Sequence, residues 1–253
     1  MGVSYELLHG DCLTLLGGVE PGSCDAIICD PPYGTTRNEW DKKIDLAEWW
    51  PLVWRAAKPT APVLVFSQMP FAAELVLSAP KEYRYEWVWD KRIQTGFLNA
   101  RRMPLRRHEL IQVFYRQLPT YNPQMAQGTY YRQTANNRGG RNYGHVKDRK
   151  PYESCERFPT DILVFDQARN YAESAKDTNH PTQKPTDLLA YLVRTYTNAG
   201  ETVLDPFMGS GSTGVACGME GRSFVGMELD THWFGVAESR VSQAYAQERL
   251  FEC

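Results

Sequence analysis

Apolar runs of strand length alternate along this chain with longer stretches that carry a helical period. Tyr5-Glu6-Leu7-Leu8, Ala26-Ile27-Ile28-Cys29 and Val63-Leu64-Val65-Phe66 read as strands, the last two apolar enough to be buried on both faces. The pattern predicts strands over 4–8, 25–29, 62–67, 83–89, 109–115, 161–165, 202–204 and 223–227, and helices over 45–57, 70–78, 185–197, 212–220 and 231–248. Strands alternating with helices predict an α/β fold with a doubly wound sheet. From Pro119 to Pro159 the alternation fails, and the chain turns polar, aromatic and rich in Gly and Asn. A structureless loop of about 40 residues inside a compact domain is uncommon unless it is functional. The chain therefore divides into 1–115, an insertion at 116–160, and 161–253.

Two strand ends carry the candidate chemistry. Ala26-Ile27-Ile28-Cys29 runs into Asp30-Pro31-Pro32-Tyr33, which puts a carboxylate, two prolines and an aromatic at the carboxyl end of a strand. Open α/β sheets hold their ligands at such ends. The prolines stiffen the turn and remove two N–H donors, leaving acceptors and a ring that suit a planar group bearing an NH2. Downstream, Thr202-Val203-Leu204 leads into Asp205-Pro206-Phe207-Met208-Gly209-Ser210-Gly211-Ser212-Thr213-Gly214. Gly209, Gly211 and Gly214 match a dinucleotide fingerprint, and Glu228 stands 23 residues after Asp205, where ribose hydroxyls are held. A dinucleotide fits poorly, because this half-site comes late in the chain and no second half is visible. Asp205 also puts a carboxylate where a pyrophosphate would demand neutrality. A cationic ligand suits the site better.

Asp-Pro-Pro-Tyr followed far downstream by Asp-Pro-Phe-Met-Gly-Ser-Gly resembles the β group of S-adenosylmethionine-dependent DNA amino-methyltransferases, adenine-N6 or cytosine-N4. Gly10-Asp11-Cys12 after the first strand and His180-Pro181-Thr182-Gln183-Lys184-Pro185 before a helix extend the resemblance to both ends of the chain. It implies a Rossmann-like sheet, circularly permuted so that the catalytic tetrad precedes the cofactor loop, with a target-recognition insertion. It also implies roles. Asp30, Pro31, Pro32 and Tyr33 would form the catalytic tetrad. Asp11 and Cys12 would lie at the cofactor adenine and Glu228 at its ribose. Asp205, Phe207, Gly209, Ser210, Gly211 and Ser212, with Lys184, would hold its methionine end. No metal is implied. Asp at the head of the tetrad goes with adenine in most such enzymes; N4-cytosine methylation stays open, as does a catalytically weak nucleic-acid-binding subunit of the same fold.

Charge sharpens the picture. The chain is near neutral overall, yet residues 81–157 hold 16 Lys/Arg against 7 Asp/Glu, and the remainder is acidic. That asymmetry points to a polyanion such as double-stranded DNA. Lys91, Arg92, Arg101, Arg102, Arg106 and Arg107 are candidate contacts in one loop; Arg132, Arg138 and Arg141 are candidates in the insertion, beside Asn136 and Asn137. Six scattered cysteines lack metal or disulfide spacing, and no signal peptide or membrane span is evident, which fits the cytoplasm of a bacterial or phage-infected cell. A homodimer and a companion restriction endonuclease are partners the sequence leaves open. Cys29 and Trp49, Trp50 and Trp54 read as core, while Asn38-Glu39-Trp40-Asp41 follows the tetrad closely, either gating a pocket or packing as an ordinary loop.

Overall fold

The computed structural model describes residues 2–34, 42–133, 152–167 and 183–248. Two compact units emerge: Met1–Asn122 with Asp161–Cys253, and Pro123–Thr160. The first is an eight-stranded sheet. Its strands are β1 (Tyr5–His9), β2 (Ala26–Cys29), β3 (Val63–Ser67), β4 (Tyr83–Thr95), β5 (Arg106–Phe114), β8 (Ile162–Val164), β9 (Thr202–Asp205) and β10 (Ser223–Glu228). They run in the order β1-β10-β9-β2-β3-β5-β4-β8, with all neighbours parallel except β5, which is antiparallel to both β3 and β4. Late in the chain, β9 nonetheless lies at the centre of the sheet beside β2.

Alternation within the buried strands sends side chains to two separate cores. Ile28, Leu64, Phe66, Trp87, Trp89, Ile111 and Val113 pack with α4 (Thr186–Tyr196), α5 (Ser212–Met219) and α6 (Thr231–Glu248). Ile27, Cys29, Val63 and Val65 pack with α1 (Cys12–Leu16), α2 (Leu46–Ala56) and α3 (Phe71–Ser78) on the opposite face. Cys29, Trp49 and Trp50 are buried there, as the sequence suggests. On α4, Leu188, Leu189, Leu192, Val193 and Tyr196 make the buried stripe. The hydroxyl of Tyr196, inside the core, meets Tyr85 Oη at 2.8 Å and accepts from Trp87 Nε1 at 2.7 Å, which satisfies a polar group that would otherwise be costly to bury.

The glycine-rich stretch is built for close packing. Gly211 caps α5 at φ +77°, and a Cβ on Gly214 would come within 2.7 Å of Phe224 and Val241. Glycine is thus required at the start of α5 by backbone conformation at Gly211 and by close packing at Gly214.

The second unit is ordered by β6 (Ala126–Gln133) and β7 (Tyr152–Arg157), an antiparallel pair with a register shift between Gln127 and Tyr131. Its boundary falls at 123, not 116, because residues 116–122 return to the main unit. Arg116 Nη2 donates to Ala57 O at 2.9 Å, and Asn122 Nδ2 donates to Arg194 O at 3.1 Å. Two strands also stand where the sequence pattern showed no period.

Candidate active site

Asp30 and Asp205 close the neighbouring strands β2 and β9, where the winding of the sheet reverses. From β9 the chain moves to β10 on one side, and from β2 to β3 on the other. That switch point is where an α/β sheet opens a crevice at its carboxyl edge. The ends of β1 and β10 contribute Asp11 and Glu228 to the same edge; His9 and Glu228 are register partners.

Asp205, Glu228 and Asp11 are held by nearby partners in the chain, mostly backbone N–H groups. Asp205, 3% exposed, accepts from Phe207 N at 3.0 Å through Oδ1 and from Thr213 Oγ1 at 2.6 Å through Oδ2, which pins both ends of the glycine turn. Burial pushes its carboxyl up to about 7, against the pull of those two hydrogen bonds. Glu228 accepts from Gly209 N at 3.0 Å and Asp230 N at 2.7 Å, and burial still raises it above the usual carboxylate range. Asp11 caps α1, accepting from Leu13 N at 3.1 Å and Thr14 N at 3.2 Å through Oδ1. Cys12 opens that helix, buried, its thiol raised to about 12 by burial and by Asp11. The ring of Phe207 packs toward buried Trp49, centroids 6.3 Å apart. Sequence reasoning missed Arg240 on α6, whose Nη1 donates to Ser210 Oγ at 3.0 Å and Ser212 Oγ at 3.2 Å and clamps the loop from behind.

Asp30 is held by side chains instead. Tyr33 Oη donates to Oδ1 at 2.6 Å, and the Lys184 ammonium pairs with Oδ2. Burial raises the Asp30 carboxyl, with Lys184 opposing. The ring of Tyr33 stacks on Phe71 at 5.4 Å, so this residue contributes a hydroxyl to the carboxylate as well as an aromatic face. Lys184 was expected at the methionine end of a cofactor; in the structure its ammonium pairs with Asp30, with Glu109 Oε2 at 3.5 Å. Glu109, on β5, also accepts from Lys91 Nζ at 3.0 Å through Oε1. Lys91 was expected on the DNA surface. At 3% exposure and paired with Glu109, it is an interior residue that cannot reach a phosphate. An alternating signal could have found both: Trp87, Trp89 and Lys91 fall on one face of β4, and Glu109, Ile111 and Val113 on one face of β5.

The remaining basic candidates separate by environment. Because β4 runs parallel to β2 and β3, the loop after it lies on the same carboxyl edge of the sheet as Asp30. Arg101, Arg102 and Arg106 are exposed there beside Phe97 and Leu98, and Arg106 Nη1 donates to Gln68 Oε1 at 3.2 Å just past β3. Arg92 is exposed at φ +57°. Arg107 forks onto Asp90 at 2.7 and 2.8 Å. In the second unit Arg132 pairs with Glu153 at 3.0 Å. Arg138, Arg141, Asn136, Asn137, the 38–41 segment and His180–Thr182 lie outside the described residues. Among those described, no His/Cys/Asp/Glu group could hold a metal ion, and no helix is long and apolar enough to cross a membrane.

Known proteins are similar to this chain in sequence and in fold. The family model described as DNA methylase matches residues 24–239. Type II methyltransferase M.HpaI of Haemophilus parainfluenzae is 25% identical, the alignment covering 99% of this chain and 80% of that protein. DNA adenine methyltransferase YhdJ of Escherichia coli K12 is also 25% identical, over 96% of this chain and 85% of that protein. The fold matches the M1.HpyAVI–SAM complex at TM-score 0.65 (22% identity, 94% of this chain and 98% of that one). It matches the cytosine-N4-specific PvuII DNA methyltransferase at 0.67 (14% identity, 98% and 93%). S-adenosylmethionine is the cofactor such a family implies, and the residues fit it. Acidic groups line the edge where a cation would sit, and Glu228 and Asp11 keep acceptor capacity for hydroxyls and an amine beyond the backbone bonds they make. The sequence match and the placement of Asp30 beside the Asp205 loop together assign this chain to the DNA methylase family.

Proposed function

We propose that this chain transfers the methyl group of S-adenosylmethionine to the exocyclic N6 of an adenine flipped out of duplex DNA at a specific sequence. The observation that carries the reading is the adjacency of Asp30 and Asp205 on neighbouring strand ends, which sets an amine acceptor beside a cation-favouring loop. An exocyclic amine in a duplex is unreachable in place, so the nucleotide leaves the stack. Tyr33 offers a ring for the extruded base. Asp30 and the Pro31 carbonyl accept the two amine hydrogens and turn the nitrogen lone pair toward the donor. When bound, the cofactor supplies a methyl already activated on a sulfonium. As nitrogen takes the methyl, the sulfur–methyl bond would break to leave a neutral thioether; nitrogen becomes cationic before it gives up one proton, and Asp30 stabilises charge that exists only from the transition state onward. Asp11 would meet the cofactor adenine, Glu228 the ribose, and the loop from Asp205 to Ser212 the methionine end.

The exposed Arg101, Arg102 and Arg106, with apolar Phe97 and Leu98 between strands on the same edge, support a DNA face there. Adenine is favoured by Asp at the head of the tetrad and by the adenine specificity in the name of one relative. Mapping modified bases in DNA from cells that express the chain tests the reading. N6-methyladenine at one short sequence is the expected result. N4-methylcytosine would move the substrate to cytosine, and unmodified DNA from cells with folded, cofactor-binding protein would overturn the activity.

A further inference from the structure

Both oxygens of Asp30 already have a partner in this structure: Tyr33 donates to Oδ1 and the Lys184 ammonium pairs with Oδ2. Each oxygen keeps a lone pair for the target amine, but the Lys184 charge on Oδ2 opposes the positive charge that the amine develops as it is methylated. Lys184 sits between two acids. Beyond Asp30, Glu109 Oε2 lies 3.5 Å from its Nζ, just outside hydrogen-bond range, and this buried oxygen has no hydrogen-bond partner among the described residues. Glu109 is itself fixed, because Lys91 Nζ holds Oε1 at 3.0 Å in a setting where Lys91 is 3% and Glu109 8% exposed. The Phe66 ring faces the ammonium at 5.1 Å and bounds the space between the two acids.

We propose that Glu109 is a positioning residue that receives the Lys184 ammonium when the target base enters, and so draws a competing positive charge off Asp30 as the amine is methylated. The inference rests on the reading of Asp30 as the amine acceptor. A shift of roughly half an ångström turns the 3.5 Å approach into a hydrogen bond. Lys184 keeps a carboxylate partner throughout the shift, and Asp30 regains a cationic partner when the methylated amine becomes charged. The shift also withdraws a positive charge from the atom on which the amine develops its own, at a site poorly screened by solvent. Burial opposes ionisation of Glu109, but Lys184 and Lys91 outweigh it and hold the group below the usual carboxylate range, so the receiving oxygen is anionic. Tyr33 is the less suitable group to yield, since its hydroxyl has no second acceptor recorded among the described residues.

Glu109→Gln tests this with little change of shape, because Gln keeps an acceptor for Lys91 and presents a neutral group to Lys184. Single-turnover methylation should fall about tenfold to a hundredfold, the scale of a misplaced reacting group, while affinities for S-adenosylmethionine and for target duplex stay unchanged. In a Lys184→Met background, where there is no ammonium to receive, the same substitution should add little further loss. An equal loss in both backgrounds, or a wild-type rate for Glu109→Gln alone, overturns the proposal. Should Glu109→Gln fail to fold, Lys184→Arg replaces it. A guanidinium fork can hold both acids at once and so cannot vacate Asp30. It should slow methylation with cofactor affinity intact, and a wild-type rate would overturn the idea. Failure of the underlying reading looks different: Asp30→Ala would then retain methylation, whereas an inactive Asp30→Ala with additive Glu109 and Lys184 effects rejects only the relay.

Discussion

Asp30 and Asp205 end neighbouring strands of one sheet, and they are held in opposite ways. Both oxygens of Asp205 bond within its own turn, to Phe207 N and Thr213 Oγ1. Asp30 is held by two side chains, one of which, Lys184, arrives from 154 residues away. A carboxylate satisfied by its own loop fixes backbone and cannot release its partners without unfolding the turn. A carboxylate held by a tyrosine hydroxyl and a lysine can exchange them for a substrate. Position at a strand end marks both as candidates, and on the proposed reading the origin of their partners separates an architectural acid from a chemical one.

The largest expected effect tests the chemical member. Asp30→Ala should lower methyl transfer by about 10²–10³-fold or more, the cost of losing an electrostatic stabiliser aimed at developing charge. Lys184 keeps Glu109 as a partner in that variant, so the unfolding midpoint and cofactor affinity should stay close to wild type. Single-turnover methylation with calorimetric titration of cofactor measures both. A rate within about tenfold of wild type, a margin of roughly 1.4 kcal/mol, would erase the distinction between the two acids.

Asp205→Ala should do the reverse. It leaves Phe207 N and Thr213 Oγ1 without acceptors, and an unsatisfied buried group costs roughly 1–3 kcal/mol. Relief from burying a carboxyl that resists ionisation offsets part of that loss. Thermal unfolding should shift to lower temperature and cofactor binding should weaken, while the rate at saturating cofactor falls less than in Asp30→Ala. A variant with normal stability and cofactor affinity but no turnover would exchange the roles.

How much of this was legible in the sequence follows from the same contrast. The tetrad and the glycine turn are contiguous in the chain, and the apolar runs before them fix their place at strand ends, so both could be read directly. The charged ladder could not. It joins Asp30, Lys91, Glu109 and Lys184 across the end of β2, the interiors of β4 and β5 and the approach to α4. Lys91 stands next to Arg92 and reads as part of a basic loop, since the strand was expected to stop at 89. In the structure β4 runs on to Thr95, and period two carries Lys91 inward behind Trp87 and Trp89. The β6–β7 pair escaped notice for another reason. Its stability includes polar cross-strand contacts, such as Tyr130 Oη to Glu153 Oε2 at 2.9 Å, which leave no apolar period to find.

The smallest expected effect is also the most specific to Asp205. Its carboxyl lies at about 7, raised mainly by burial, with Asp30 and Glu228 adding to the rise. The folded protein therefore holds this proton more tightly than the unfolded chain. The stability from that proton is complete below the ordinary carboxylate range and is lost as pH rises through about 7. A cationic ligand at the same edge reverses the preference, because it favours the ionised carboxylate. Binding of S-adenosylmethionine should release protons, and its affinity should rise between about pH 6 and 7.5, by less than the tenfold per unit that one fully coupled group allows. Asp30 and Glu228 are raised too, so some slope should survive in Asp205→Asn, whose amide still offers an acceptor to Phe207 N. Calorimetry in buffers of different ionisation enthalpy counts the protons directly. The decisive quantity is the difference between wild type and Asp205→Asn. An identical slope in both would mean that Asp205 does not sense the ligand's charge, and that its part in the cofactor site is confined to shaping the turn.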